Sequence, residues 1–204
     1  MAFREVYLDH AAAAPLDPRV FAAMRPFLED AHGNPSSFHT AGKRAKDAVD
    51  AARVSMAKIL GARPDEILFT AGGTEADNLA VLGYARANVE HGKHIVTTAV
   101  EHQAILESAN HLEKKEGFEV TYLAPDAFGR VTAEQVVAAL RPDTILVSVM
   151  YANNEIGTIE PVAEIGNAIW KWRTEHKRPQ LVFHTDACQA AGALDLDVNK
   201  LHVD

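Results

Sequence analysis

The chain has 204 residues, 48% hydrophobic and 24% charged, the balance of a globular protein with room for one large domain. Its net charge of −8 argues against a nucleic-acid partner, because phosphate backbones select clustered Lys and Arg. The single cysteine excludes an intrachain disulfide and favours a cytoplasmic location, and no apolar run reaches the length of a membrane span.

The opening segment MAFREVYLDHAAAAPLDP lacks the basic start and long apolar core of a signal peptide. Residues 1–15 are expected to form an arm and 16–204 an incomplete large domain. A helix is expected over 18–31, followed by the turn-rich GNPSS at Gly33–Ser37. Apolar residues at Ala41, Ala45, Ala48, Ala52, Met56 and Ile59 step by three and four, which predicts one face of a long helix.

From residue 66 onward, strands and helices alternate. EILFT (66–70) reads as a strand that leads through Gly72-Gly73 into a helix near 75–90. HIVTTAV (94–100) is a strand and 103–116 a helix. FEVTYLA (118–124) is a strand and TAEQVVAAL (132–140) a helix. TILVSVMY (144–151) is a strand that runs into ANNEIG, a helix follows Pro161, and LVFH ends the series as a strand. This alternation predicts an α/β fold with a mainly parallel, doubly wound sheet covered on both faces. Ligands of such sheets bind beyond the carboxyl ends of the strands.

The unusual residues fall at those ends. After EILFT come Gly72, Gly73 and Thr74, where a helix starts. Glycine lets the backbone approach a ligand closely, and free amides with the helix dipole favour phosphate. The alternative is a plain capping box from Thr74 to Asp77, and Glu75 and Asp77 would repel phosphate unless turned away. The pattern is neither a G-x-G-x-x-G fingerprint nor a P-loop, which disfavours a nucleotide. After HIVTTAV comes His102, able to stack on a ring or shuttle protons. After TILVSVMY come Asn153 and Asn154, and after LVFH come Asp186 and Gln189. No Cys/His cluster or H-E-x-x-H is present, so no metal site is read. A phosphate cup, an imidazole, amide donors and a carboxylate suit an aromatic ring with a phosphate arm, a phenolic oxygen and a protonated nitrogen. That description is pyridoxal 5′-phosphate, with Asp186 opposite the ring nitrogen.

Seven blocks carry a family resemblance in order along nearly the whole chain: YLDHAAAAPLDPRV, GNPSSFHTAGKRAKDAVDAAR, EILFTAGGTEADNLA, EHQAIL, FEVTYLAPDAFGRV, TILVSVMYANNEIGTIEPV and HTDACQAAG. The chain resembles the N-terminal part of the cysteine desulfurases, in the class V aminotransferase superfamily of fold-type I pyridoxal-phosphate enzymes. The resemblance implies that Gly73 and Thr74 hold the cofactor phosphate. It implies that His102 stacks on the ring and serves in proton transfer, that Asn154 and Gln189 contact the phenolic oxygen, and that Asp186 pairs with the ring nitrogen. It further implies conversion of L-cysteine to L-alanine with sulfur left as an enzyme persulfide. A homodimer is implied, together with a sulfur-acceptor or scaffold protein in iron–sulfur cluster or thiolation pathways.

Ala11 to Ala14 replace hydroxyl residues common in the family, and Cys188 is not the family's persulfide cysteine, which lies later. The lysine that binds the cofactor covalently also lies later in the family, after the segment matching KLHVD, so residues 1–204 alone are expected to be inactive. Another class V enzyme, such as a selenocysteine lyase or an aminotransferase, and a non-catalytic remnant remain open. A nicotinamide- or nucleotide-binding domain ranks below these because the glycine fingerprint is missing.

Overall fold

A computed structural model describes residues 4–30 and 32–204. Contacts group the chain into two units, Met1–Ile59 with Arg63–Ile67, and Leu60–Ala62 with Leu68–Asp204.

The second unit is built on four short strands: β1 (His94–Thr98), β2 (Glu119–Leu123), β3 (Thr144–Ser148) and β4 (Val182–His184). All pair in parallel, in the order β2-β1-β3-β4. Parallel neighbours need crossover connections, and these are α5 (Gln103–Glu116), α6 (Ala133–Ala139) and α7 (Val162–Glu175). β1 and β3 are buried at every position, as central strands of a sheet covered on both faces must be.

Successive side chains of a strand point to opposite faces, and this alternation divides the core. Val96, Val147 and Phe183 join Val162, Ile165 and Ile169 of α7 on one face. Ile95 and Leu146 join Ile105 and Leu112 of α5 on the other, together with Val81 and Ala85. Those last two residues belong to a continuous helical run of α3 (Gly73–Asn78), a π-turn over Leu79–Gly83, and α4 (Tyr84–Ala87). A last helical turn, α8 (Val198–Leu201), is capped by Asp197, whose side chain accepts from the Asn199 amide; the sequence pattern did not signal it.

The first unit carries the two long helices expected there. α1 (Pro18–Glu29) starts where Asp17 accepts from the Arg19 amide and Pro18 presets the backbone. Ala31, at the end of the helix expected over 18–31, lies outside the described residues, as do residues 1–3 of the expected arm. α2 (Thr40–Leu60) covers the predicted periodic stretch. Its apolar face is less buried than the spacing implies, with Met56 and Ile59 exposed. Periodicity determines that a helix forms, whereas burial needs a surface to receive it.

One expected strand is absent. Glu66 closes a 3-10 turn, Pro64–Glu66, and 67–70 stays out of the sheet with Leu68 and Phe69 exposed. A β-rich run becomes a strand only where a neighbour offers its ladder, and no described strand runs beside this one.

α5 ends at Gly117, which adopts φ 72 and donates to the Leu112 carbonyl. A Cβ there would meet only Lys93 Nζ, at 3.7 Å, so Gly117→Ala isolates backbone strain. It is expected to lower stability by about 1 kcal/mol, read as a shift in the urea midpoint with the slope unchanged.

Candidate functional site

The carboxyl ends of the strands share one edge of the sheet. β1 runs into Ala99–His102 and α5, β3 into the Met150–Asn154 segment, and β4 into Thr185–Gln189. Cross-links hold these ends in register. The Tyr151 amide donates to the Asp186 carbonyl at 2.8 Å, and Thr185 Oγ1 donates to the Val149 carbonyl at 2.7 Å.

Two buried carboxylates face each other's fields. Asp186 is buried, and its Oδ1 accepts from the Cys188 amide at 2.9 Å. Asp77, one helical turn into α3, is more deeply buried. Burial first, and then the Asp186 charge, pushes the Asp77 carboxyl up to about 6, while His102 pulls it down. His184 Nε2 lies 4.0 Å from Asp77 Oδ1, and its Nδ1 bonds Ser148 Oγ at 2.9 Å. Burial pushes the His184 imidazole down to about 4, so it is neutral at neutral pH and supplies no counter-charge. Among the described residues no Lys or Arg pairs with Asp77 or Asp186. The site therefore holds a surplus of negative charge that a cationic ring nitrogen would offset.

The helix that starts nearby has the features of an anion cradle. Gly72 caps α3, and the amides of Gly73, Thr74 and Glu75 donate to no backbone oxygen among the described residues. A Cβ on Gly73 would come within 2.8 Å of Cys188 Sγ, so only glycine leaves this approach open. Thr74 is exposed, and among the described residues no hydrogen bond occupies its hydroxyl. The capping box from Thr74 to Asp77 does not form, because Asp77 turns into the core beside His184. Glu75 folds back to accept from the Ala71 amide at 2.5 Å. Both acidic side chains of the first turn are thus directed to partners within the chain, Glu75 to the Ala71 amide and Asp77 toward His184.

His102 and Asn154 line one cleft of about 390 Å³, with Glu101, Asn153 and Leu106. His102 is exposed; its Nδ1 accepts from the Ala104 amide at 3.1 Å and caps α5, which leaves Nε2 available. Asn154 is half-buried and Gln189 exposed, and neither side-chain amide is used in a bond within the described chain. Cys188 is exposed as a residue, yet its sulfur is tucked beside Gly73. Burial and the Asp186 hydrogen bond push the thiol up to about 12. It stays protonated at neutral pH and is a poor nucleophile. No trio of His, Cys, Asp or Glu among the described residues is placed to hold a metal ion.

Sequence reasoning missed Glu101, His184 and the inward turn of Asp77; it singled out Asn153 as an amide able to meet a ligand, whereas its side chain is bonded to the Val100 carbonyl and to the Glu155 and Ile156 amides. A signal existed for His184: it lies two residues from Val182 in β4, and strand alternation sends both to the face that α3 covers. Nothing in the local pattern marked Glu101 as buried. Its Oε1 accepts from Thr98 Oγ1 and from the Met150 amide, both at 2.8 Å, and its Oε2 is buried without a partner. Burial outweighs both donors and pushes this carboxyl up to about 8.

Residues 6–204 match the family model described as aminotransferase class-V. The chain is 51% identical over 199 residues to the putative cysteine desulfurase IscS 1 of Bacillus subtilis, covering 98% of this chain and 50% of that protein. Among solved structures it is similar to a NifS-like protein, with TM-score 0.91 and 37% identity over 98% of this chain and 53% of the other. It is also similar to SspA in complex with cysteine, with TM-score 0.88 and 40% identity over 97% of this chain and 55% of the other. The chain spans about half the length of the curated relatives it matches.

The raised Glu101 carboxyl has a consequence for stability. Between about pH 4.5 and 8 the unfolded chain ionises this group and the native state does not, so its contribution is full below 4.5 and is lost as pH rises through 8. His184 has the opposite sign, but only between about 4 and 6.5. Glu101→Gln should therefore gain stability relative to the parent between pH 6.5 and 8.5, by an amount on the order of 2 kcal/mol. Urea unfolding at the two pH values checks this; equal differences at both would show that Glu101 titrates normally.

Proposed function

Because the chain belongs to the class-V aminotransferase family, we propose that residues 16–204 form part of the cofactor-binding large domain of a pyridoxal 5′-phosphate-dependent cysteine desulfurase, with residues 1–15 as an arm. The observation that carries this reading is the uncompensated acid pair Asp186 and Asp77 at the strand ends, beside an imidazole and a helix start with free amides. When bound, pyridoxal phosphate supplies a ring that withdraws electrons from the substrate's α-carbon.

The chain's own residues prepare that chemistry. Asp186, fixed by the Cys188 amide, accepts from the ring nitrogen and favours its protonated form. Gly73 and Thr74 donate to phosphate oxygens. His102 covers the ring and holds or moves a proton at Nε2, since Nδ1 is engaged with the Ala104 amide. Asn154 and Gln189 donate to the phenolic oxygen. Cys188, held as a thiol, is not the sulfur-accepting group.

In this reading the substrate is L-cysteine, the products are L-alanine and persulfide sulfur, and the sulfur passes to an acceptor or scaffold protein for iron–sulfur cluster assembly or thiolation. The enzyme is a cytoplasmic homodimer. SspA, a relative by structure, is described in complex with cysteine. No helix among the described residues is long and apolar enough to cross a membrane.

The test uses the protein encoded by the complete reading frame that contains these residues. L-cysteine should yield alanine and reducible sulfur in equal amounts. His102→Ala should lower turnover by about 10²-fold or more. Asp186→Asn should lower turnover more than it weakens cofactor binding. Release of selenide from selenocysteine with cysteine untouched would make the protein a selenocysteine lyase. Transfer of an amino group to a keto acid would make it an aminotransferase.

A further inference from the structure

The two loops that carry His102 and Asn154 are joined by a reciprocal pair of side-chain bonds. Glu101, from the loop between β1 and α5, reaches across to the Met150 amide with Oε1 at 2.8 Å. Asn153, from the loop after β3, reaches back with Nδ2 to the Val100 carbonyl at 3.0 Å and touches Met150 Sδ at 3.3 Å. Each side chain thus bonds to the other loop's backbone.

Each is also anchored at home. Thr98 Oγ1 donates to Glu101 Oε1, and Asn153 Oδ1 accepts from the Glu155 and Ile156 amides at 2.9 and 3.0 Å. That last pair closes the turn containing Asn154, at the tip of a hairpin bridged from Ala152 to Ile159.

Stability alone does not account for this arrangement. Glu101 is 5% exposed and its Oε2 has no partner. A buried carboxyl with one unsatisfied oxygen is a poor way to fill a core, and an apolar side chain of that size would hold it better. What the carboxyl provides is an acceptor at a defined place between two loops. The residue next to Glu101 is His102, the residue next to Asn153 is Asn154, and all four line one cleft.

We propose that Glu101 and Asn153 are positioning residues: together they clamp the β1–α5 loop to the hairpin after β3 and set the spacing of His102 and Asn154 across the cleft. The proposal rests on the reading of His102 and Asn154 as cofactor contacts. Because burial keeps Glu101 uncharged at neutral pH, glutamine reproduces both its shape and its accepting oxygen, while alanine removes the clamp.

The test compares the parent protein with Glu101→Ala, Glu101→Gln and Asn153→Ala, each made in the protein encoded by the complete reading frame. Residue-resolved hydrogen exchange without cofactor reads the clamp. Glu101→Ala should speed exchange at Glu155 and Ile156, which Glu101 does not touch, by at least about five-fold, and Asn153→Ala should do the same at Met150. Titration with pyridoxal 5′-phosphate, followed by circular dichroism of the bound ring, reads the site. Both alanine variants should bind at least about ten-fold more weakly, and Glu101→Gln should match the parent in both readouts.

If each alanine variant frees only its own bonded amide, the loops are not clamped and the proposal is overturned. It is equally overturned if exchange is coupled while cofactor affinity and ring dichroism stay unchanged. Should Glu101→Ala fail to fold, Asn153→Ala and Glu101→Gln decide the matter by the same criteria. Coupled exchange in a parent that does not bind the cofactor would uphold the clamp and overturn the functional reading instead.

Discussion

A parallel sheet must be re-entered from the same end for every strand, so each connection leaves from one edge and returns at the other. That constraint organises the second unit of this chain. β1, β3 and β4 deliver Glu101-His102, Asn153-Asn154 and Asp186 to one edge, although 84 positions in sequence separate His102 from Asp186. The crossover helices bury both faces of the sheet and leave the loops at this edge as the place where polar side chains can face a ligand. β1 and β3, which lead to this edge, are buried at every position.

Charge is the second organising quantity. Asp77, Asp186 and Glu101 are all buried near one another with no Lys or Arg in contact among the described residues. Three buried like charges are not tolerable together, and the structure relieves them unequally. Glu101 keeps its proton and becomes a neutral acceptor. Asp77 is raised only to about 6. Asp186 Oδ1 accepts from the Cys188 amide at 2.9 Å, with no Lys or Arg in contact among the described residues. His184, held neutral by burial, separates Asp77 from β3 without adding charge. Such a concentration of acid suits a cationic group on a ligand, and residues 6–204 match the class-V aminotransferase family.

The sequence alone located the helices and strands of the second unit closely, because a period of two or of 3.6 in apolar residues is a local property. It also placed His102, Asn154, Asp186 and Gln189 after strands that do form, since following a strand is a matter of order along the chain, whereas Gly73 and Thr74 begin α3 with no strand before them. The strand expected over 66–70 was legible as β-prone but is absent, because pairing needs a neighbour that composition does not specify. The direction in which Asp77 turns, the reach of Glu101 to Met150 and that of Asn153 to Val100 were decided only by the tertiary structure. Each joins groups from different strands or helices, and the burial that sets their protonation is made by side chains far away in sequence. Local chemistry names the residues able to act; only three-dimensional packing decides which of them lose water, and with it which keep their charge.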